Sequence, residues 1–199
     1  ARKSRGLGDV YKRQIDNSSY WRMRHKHKLI VPEINFNDLN LSSKKVCCSD
    51  MIIANPNCST IQLVIAISDI HKKFKIKRMI VSTYQAVSGS GKKAINQLHN
   101  ESKSISTKKV YERQIFNNII PKCDIFDEDQ YTKEENKIIN ETNKILNSKI
   151  RITATAVRVP IENSHSESVN IELVNNTTTE ELIQVLKQTK GVQLSLIHI

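Results

Sequence analysis

The stretch Asn55-Pro56-Asn57-Cys58-Ser59-Thr60 constrains this chain most. The apolar run Met51-Ile52-Ile53-Ala54 leads into it, and the segment from Ile61 to Phe74 leads out with Ile61, Val64, Ile65, Ile67 and Ile70 on one broad face. Four apolar residues in a row suit a buried strand, and the spacing that follows suits an amphipathic helix over 59–74. The chain must therefore turn from a strand into a helix at Cys58. A thiol at a helix start lies beside backbone N–H groups that lack helical partners and at the positive end of the helix dipole. Both stabilise a thiolate, which is the nucleophilic form. A free cysteine after a turn is also a common small hydrophobe, and its position alone leaves both readings open.

The remaining pattern alternates strands with helices. Leu29-Ile30-Val31-Pro32 reads as a strand end closed by proline. Lys77 to Gln85 reads as a strand centred on Met79, Ile80 and Val81, broken by Gly89 and Gly91. Lys92 to Asn117 is expected to be mostly helical, interrupted by the Ser/Thr/Lys-rich stretch 102–109. Thr132 with Glu135 fits a capping box for a helix running to about Asn147. Ile152 to Val159 alternates as a strand, 169–174 reads as another, and a last helix is expected over 180–188. There is no internal repeat.

Charge narrows the functional classes. The formal net charge is +11, which suits an anionic partner. Residues 1–14, however, have no periodicity and read as translated adaptor sequence, as do residues 195–199. Setting aside 1–14 removes five basic residues and one acidic residue, leaving 26 against 19 and a net of +7. These charges are scattered, as on a solvated surface. Aromatic residues make up 5% and are not interleaved with the basic ones, so stacking platforms for nucleic acid are missing. No apolar run is long enough for a membrane helix, and no signal peptide is visible; a cytoplasmic protein with neither membrane nor nucleic acid as partner is expected. Cys47 and Cys48 are adjacent, Cys58 and Cys123 stand alone, and no CxxC pair points to a metal. Neither GxGxxG after a strand nor GxxxxGK[ST] occurs.

Further residues suit covalent chemistry. His165 follows the strand ending Val157-Arg158-Val159-Pro160, where it can approach a thiol from another element as general acid–base, although a lone loop histidine is commonly a surface residue. Arg158 offers a guanidinium for a carboxylate or phosphate. Arg22 lies in a basic run with Arg24, Lys26 and Lys28.

From Ile15 to about Leu194 the chain resembles the aspartate-semialdehyde dehydrogenase family. Asp16-Asn17-Ser18-Ser19 with Arg22-Met23 is similar to the family's phosphate-arginine segment, and Val31-Pro32-Glu33-Ile34-Asn35 to the strand end after it. Asn55 to Thr60 is similar to the nucleophile motif. Ser82-Thr83-Tyr84-Gln85-Ala86-Val87-Ser88-Gly89 resembles the segment bearing a substrate glutamine and a cofactor-side Ser-Gly turn. Lys133-Glu134-Glu135-Asn136-Lys137 resembles the Glu-x-x-Lys pair, and Arg158-Val159-Pro160 with His165-Ser166-Glu167-Ser168-Val169 the substrate-arginine and histidine segment.

The resemblance implies reductive dephosphorylation of aspartyl β-phosphate to aspartate β-semialdehyde with NADP and inorganic phosphate, in lysine, threonine, methionine and isoleucine biosynthesis. It implies Cys58 as nucleophile and His165 as proton carrier, Gln85, Glu134 and Arg158 as substrate residues, and Arg22 and Lys137 as phosphate residues. Asn57 would position the oxyanion, and Ser88 and Gly89 would face the cofactor. The implied fold is α/β: a mixed, largely antiparallel sheet with helices packed on it, like the C-terminal domain of glyceraldehyde-phosphate dehydrogenase, preceded by the end of a Rossmann-type cofactor domain. Residues 15–57 would close the NADP-binding domain and 58–194 would form the catalytic and dimerisation domain, with a homodimer or homotetramer expected. The glycine-rich nucleotide loop does not occur, Arg24-His25-Lys26-His27-Lys28 stands where the family has an acidic, proline-containing stretch, and 161–164 lacks a glycine before His165. The chain is therefore expected to be a fragment, inactive alone for want of most of the NADP site. Another acyl-phosphate reductase of the same Cys–His type, a basic nucleic-acid-binding module and a decayed structural relative are the alternatives.

Overall fold

In the computed structural model, residues 14–39, 52–106 and 108–195 are described. Cys47, Cys48 and the terminal segments 1–13 and 196–199 lie outside them. Strands β1 (Gln14–Asp16), β2 (Lys28–Leu29) and β3 (Ile52–Ala54) form a small parallel sheet in the order β1-β3-β2. Helix α1 (Pro32–Asn35) lies between β2 and β3 in the chain, and α2 (Cys58–Phe74) follows β3. Strand β4 (Ile76–Gln85), helix α3 (Lys92–Ser102), helix α4 (Lys133–Ile145), strands β5 (Arg151–Arg158) and β6 (Ser166–Leu173) and helix α5 (Thr179–Gln188) complete the described strands and α-helices.

The second sheet has β4 at its centre, parallel to β5 and antiparallel to β6. It is mixed, with one ladder of each kind. Residues of β4 alternate in burial: Met79, Val81, Thr83 and Gln85 point into the core, and Ile80 and Tyr84 point out, 38% and 41% exposed. The inner face is covered by α2, α4 and α5, where Leu63, Ile67, Ile70 and Phe74 meet Met79, Val81, Ile138, Ala154 and Val185. A second cluster of Leu29, Val31, Ala54, Val64 and Ile145 joins the small sheet to α2 and α4. Helix α2 thus contributes to both clusters, and Cys58 is its first residue.

Two expectations change. Pro32 opens α1, in the first turn where its missing N–H costs nothing; the β2 ladder ends after Ile30 N–H donates to Ala54 O at 3.1 Å. The helix expected to reach Asn117 stops at Ser102. Serines at 102, 104 and 106 favour local backbone hydrogen bonding over helix. Side chains of α3 also take the next segment's N–H groups: Gln97 Oε1 accepts from Val110 and Tyr111 at 2.6 and 3.1 Å, and Glu101 Oε2 accepts from Ile115 and Phe116 at 2.8 and 3.0 Å. Four N–H groups of 110–116 are thus satisfied by a neighbouring helix instead of by their own turns.

Candidate active site

Asn57 is the N-cap of α2. Its Oδ1 accepts from Ser59 N–H at 3.0 Å and Thr60 N–H at 3.4 Å. The helix-start amides expected to support a Cys58 thiolate are therefore largely taken by the cap. Support for the sulfur comes from the other side of the site: Cys58 Sγ lies 3.2 Å from His165 Nε2, and the backbone N–H of Ala86 donates to His165 Nδ1 at 3.0 Å. An amide N–H can only donate, so Nδ1 is the ring's acceptor, and the neutral imidazole carries its proton on Nε2, facing the sulfur. Burial, and then the Arg158 guanidinium, lower the His165 pKa below its ordinary value, against an opposing pull from Glu134. The ring is thus held neutral with a proton aimed at Sγ.

Arg158 ends β5, and its Nη1 donates to Ala86 O at 2.7 Å. Ala86 therefore fixes both side chains, one through its N–H and one through its carbonyl. Arg158 is buried and its Nε has no partner among the described residues. Gly89, in the 3-10 turn Val87–Ser90, closes the group: a Cβ there would stand 3.2 Å from Arg158 Nη1 and 3.3 Å from His165 Cε1. Backbone N–H groups of Val87 and Ser88 donate to Ile161 O and Glu162 O at 2.9 and 3.0 Å, tying this turn to the loop that carries His165.

A buried polar network runs behind Cys58. Gln85 Nε2 donates to Ser59 Oγ, Thr83 Oγ1 and Glu134 Oε1 at 3.2, 3.3 and 3.1 Å. Asn57 Nδ2 donates to the same Glu134 oxygen at 2.9 Å, and Lys137 Nζ donates to Glu134 Oε2 at 3.1 Å and Asp124 Oδ2 at 3.0 Å. Burial works against the Lys137 charge, but Glu134 and Asp124 outweigh it and hold the ammonium pKa above its usual value. Arg22 Nη1 meets Glu141 Oε1 at 3.0 Å, and Glu141 Oε2 accepts from Asn57 N–H at 2.7 Å. Burial raises the Glu141 carboxyl despite these two donors. Arg22 and Lys137 line one cleft of about 190 Å³ with Ser19, Lys133 and Asn136, and Arg22 Nε has no partner among the described residues.

All the expected site residues fall into two groups joined through α2. Cys58, His165, Arg158, Ser88 and Gly89 form one; Asn57, Gln85, Glu134, Lys137 and Arg22 form the other. Sequence reasoning missed Glu141, Asp124, Ala86 and Lys144. Glu141 stands seven residues after Glu134, on the same face of α4, a spacing that marks it. Lys144 Nζ donates to the carbonyls of Arg22, Arg24 and His27 at 2.5, 3.0 and 3.2 Å and so holds the loop that presents Arg22; no sequence signal marks it.

Residues 67–198 match the family described as semialdehyde dehydrogenase, dimerisation domain. The chain belongs to this family. It is 48% identical over 185 residues to the aspartate-semialdehyde dehydrogenase of Aquifex aeolicus, covering 89% of this chain and 53% of that protein. The structure of aspartate semialdehyde dehydrogenase II from Vibrio cholerae complexed with ASA superposes with a TM-score of 0.82 at 36% identity, over 91% of this chain and 54% of that one. The Candida albicans enzyme with NADP superposes at 0.63 and 25% identity, over 87% and 48%. The chain spans about half the length of the relatives it matches.

Proposed function

We propose that this chain carries the catalytic half of an aspartate-semialdehyde dehydrogenase, with Cys58 as its nucleophile. The observation that carries this reading is the Cys58 Sγ–His165 Nε2 contact of 3.2 Å, with the ring oriented by Ala86. The Cys58 thiolate attacks the carbonyl carbon of aspartyl β-phosphate, a C–S bond forms, the C–O bond to phosphate breaks, and inorganic phosphate leaves a thioester. Dividing one difficult displacement in this way is what a covalent nucleophile contributes. NADPH, when bound, supplies the hydride that reduces the acyl group to the aldehyde. The thiol proton of Cys58 passes to solvent, and the neutral His165 hydrogen-bonds through Nε2–H first to the sulfur and then to the oxygen that gains negative charge, keeping its own proton; the carbonyl re-forms as the C–S bond breaks and returns the thiolate. Arg158 takes the substrate carboxylate, aided by its unpartnered Nε. Gln85 and Glu134 place the substrate, while Asn57 positions both Glu134 and the start of α2. Arg22 and Lys137, on one cleft, hold phosphate.

Ser88 and Gly89 face the cofactor; a glycine at 89 leaves the rim formed by Arg158 and His165 clear of a side chain. A dinucleotide phosphate loop is not among the described residues, so the NADP assignment rests on the Ser88–Gly89 turn and on the Candida relative that carries NADP. Residues 15–57 belong to the cofactor domain in this reading, and 58–194 form the catalytic and dimerisation domain, whose outer β4 face with exposed Ile80 and Tyr84 suits a homodimer or homotetramer. The product feeds amino-acid biosynthesis in the cytoplasm. The related Vibrio structure complexed with ASA supports the substrate class and disfavours the other acyl-phosphate reductases. The test is NADP reduction by the complete protein: it should require both aspartate β-semialdehyde and inorganic phosphate and vanish in Cys58→Ala. Turnover without phosphate, or with Cys58→Ala, contradicts the proposal.

A further inference from the structure

We infer that Glu141 is a positioning residue that fixes Arg22, and with it the phosphate subsite, relative to the helix start that carries Cys58. The inference rests on the reading of Arg22 as a phosphate residue. Three separate parts of the fold meet at this carboxylate: Arg22 comes from the segment between β1 and β2, Asn57 caps α2, and Glu141 belongs to α4. Glu141 Oε1 accepts from Arg22 Nη1 at 3.0 Å, and its Oε2 accepts from the Asn57 backbone N–H at 2.7 Å. Asn57 directly precedes Cys58. The carboxylate therefore also stands at the positive end of α2, where a negative charge is favoured. One group thus sets where the guanidinium lies relative to the helix of the nucleophile.

The surroundings of Arg22 serve the same placement. Its Nη2 donates to Asn17 O at 2.8 Å. Lys144, three residues after Glu141 and so on the same face of α4, donates to the Arg22 carbonyl. Side chain and backbone of Arg22 are both tied to α4. Glu141 itself lines the cleft with Arg22 and Lys137. A free carboxylate beside an anion would repel it, but each oxygen of Glu141 already faces a donor. An amide in its place offers one acceptor and one donor group, so it would set an N–H against either Arg22 or Asn57. Only a carboxylate meets both. Stability alone does not account for it: both side chains of the ion pair are buried, and apolar residues of similar volume serve a buried site at least as well.

The experiment is steady-state NADP reduction by the complete protein, with inorganic phosphate varied at saturating aspartate β-semialdehyde and Tm recorded for every variant. Glu141→Gln should raise the KM for phosphate about tenfold, since a shift of about 1 Å costs that much or more, and should lower kcat at saturating phosphate by less than about threefold. A purely structural ion pair would lower Tm and leave that KM alone. Arg22→Ala should raise the same KM, and adding Glu141→Gln to it should change the KM by less than about twofold, because a residue that acts through Arg22 has nothing left to act on. Glu141→Asp keeps the charge but is one methylene too short to reach both donors, and it gives the same test if Glu141→Gln does not fold. If Arg22→Ala raises the phosphate KM and neither Glu141 variant does, or if the Glu141 effect persists in full beside Arg22→Ala, the positioning role is refuted while the reading of Arg22 stands. If Arg22→Ala leaves the phosphate KM unchanged, that reading itself fails, and the inference with it.

Discussion

Replacing Asn57 by alanine removes two separable contributions from one side chain. Its Oδ1 caps α2 through Ser59 and Thr60 N–H, and loss of such a cap costs about 1 kcal/mol. Its Nδ2 donates to the buried Glu134 carboxylate, and a hydrogen bond to a charged group contributes about 1.5–3 kcal/mol. Glu134 keeps Gln85 and Lys137 as donors, which places the second loss toward the lower end. The expected total is about 2–3 kcal/mol, or roughly 5–10 °C in Tm for a chain of this length. Asn57→Ser keeps a capping oxygen and loses only the bond to Glu134, so it should fall between parent and Asn57→Ala, about 1 kcal/mol above the latter. Urea unfolding of the three proteins, with equal slopes, measures both steps. If Asn57→Ala lies within about 0.5 kcal/mol of the parent, or Asn57→Ser equals Asn57→Ala, the division between cap and network is wrong.

Three further outcomes follow. The pKa values of His165 and His71 are both lowered in the fold, chiefly by burial, so by themselves they make stability rise with pH just below 6.5, whereas Glu167, raised to about 7 by burial, works the other way in the same range; an NMR titration of the folded chain should therefore find both imidazoles below 6.5, and values at or above 6.5 contradict this. Burial pushes the Cys123 thiol up to about 11, so at pH 8 iodoacetamide should modify Cys58 far faster than Cys123 in the folded chain, and equal rates would place Cys123 outside its buried setting. Gly89→Ala sets a methyl 3.2–3.4 Å from Arg158 and His165 side-chain atoms; it should leave Tm within a few degrees yet slow acylation of Cys58 by about tenfold, and parental acylation would show that the rim has room.

Local signals made much of this architecture legible. The capping box at Thr132 and Glu135 is present as the spacing of the two residues indicates, because it depends on neighbours three positions apart. The strand-turn-helix at Cys58 and the extent of β4 were legible for the same reason. What escaped was settled by partners distant in sequence. Gln97 and Glu101 draw residues 110–116 out of helix through side-chain bonds across 13 to 15 positions. Asn57 takes the helix-start amides that seemed free for a thiolate. The orientation of His165 depends on Ala86, 79 residues away, and an alanine gives no sign that its backbone will set a tautomer. The resemblance named the ten residues that fall into the two groups of the site; it did not name Asp124, Ala86 or Lys144, nor Glu141, whose role appears only once Arg22 and Asn57 converge on it.

The most direct measurement follows the first step of the proposed reaction by itself, since in that scheme acylation of Cys58 needs no cofactor. The chain is mixed with aspartyl β-phosphate made in place by an ATP-dependent aspartate kinase, and the protein is examined by intact mass and peptide mapping. The account predicts one aspartyl group on Cys58, release of one phosphate per chain, no adduct in Cys58→Ala and slow acylation in His165→Asn. A folded chain that remains unmodified, or that carries the adduct at another cysteine, would contradict it.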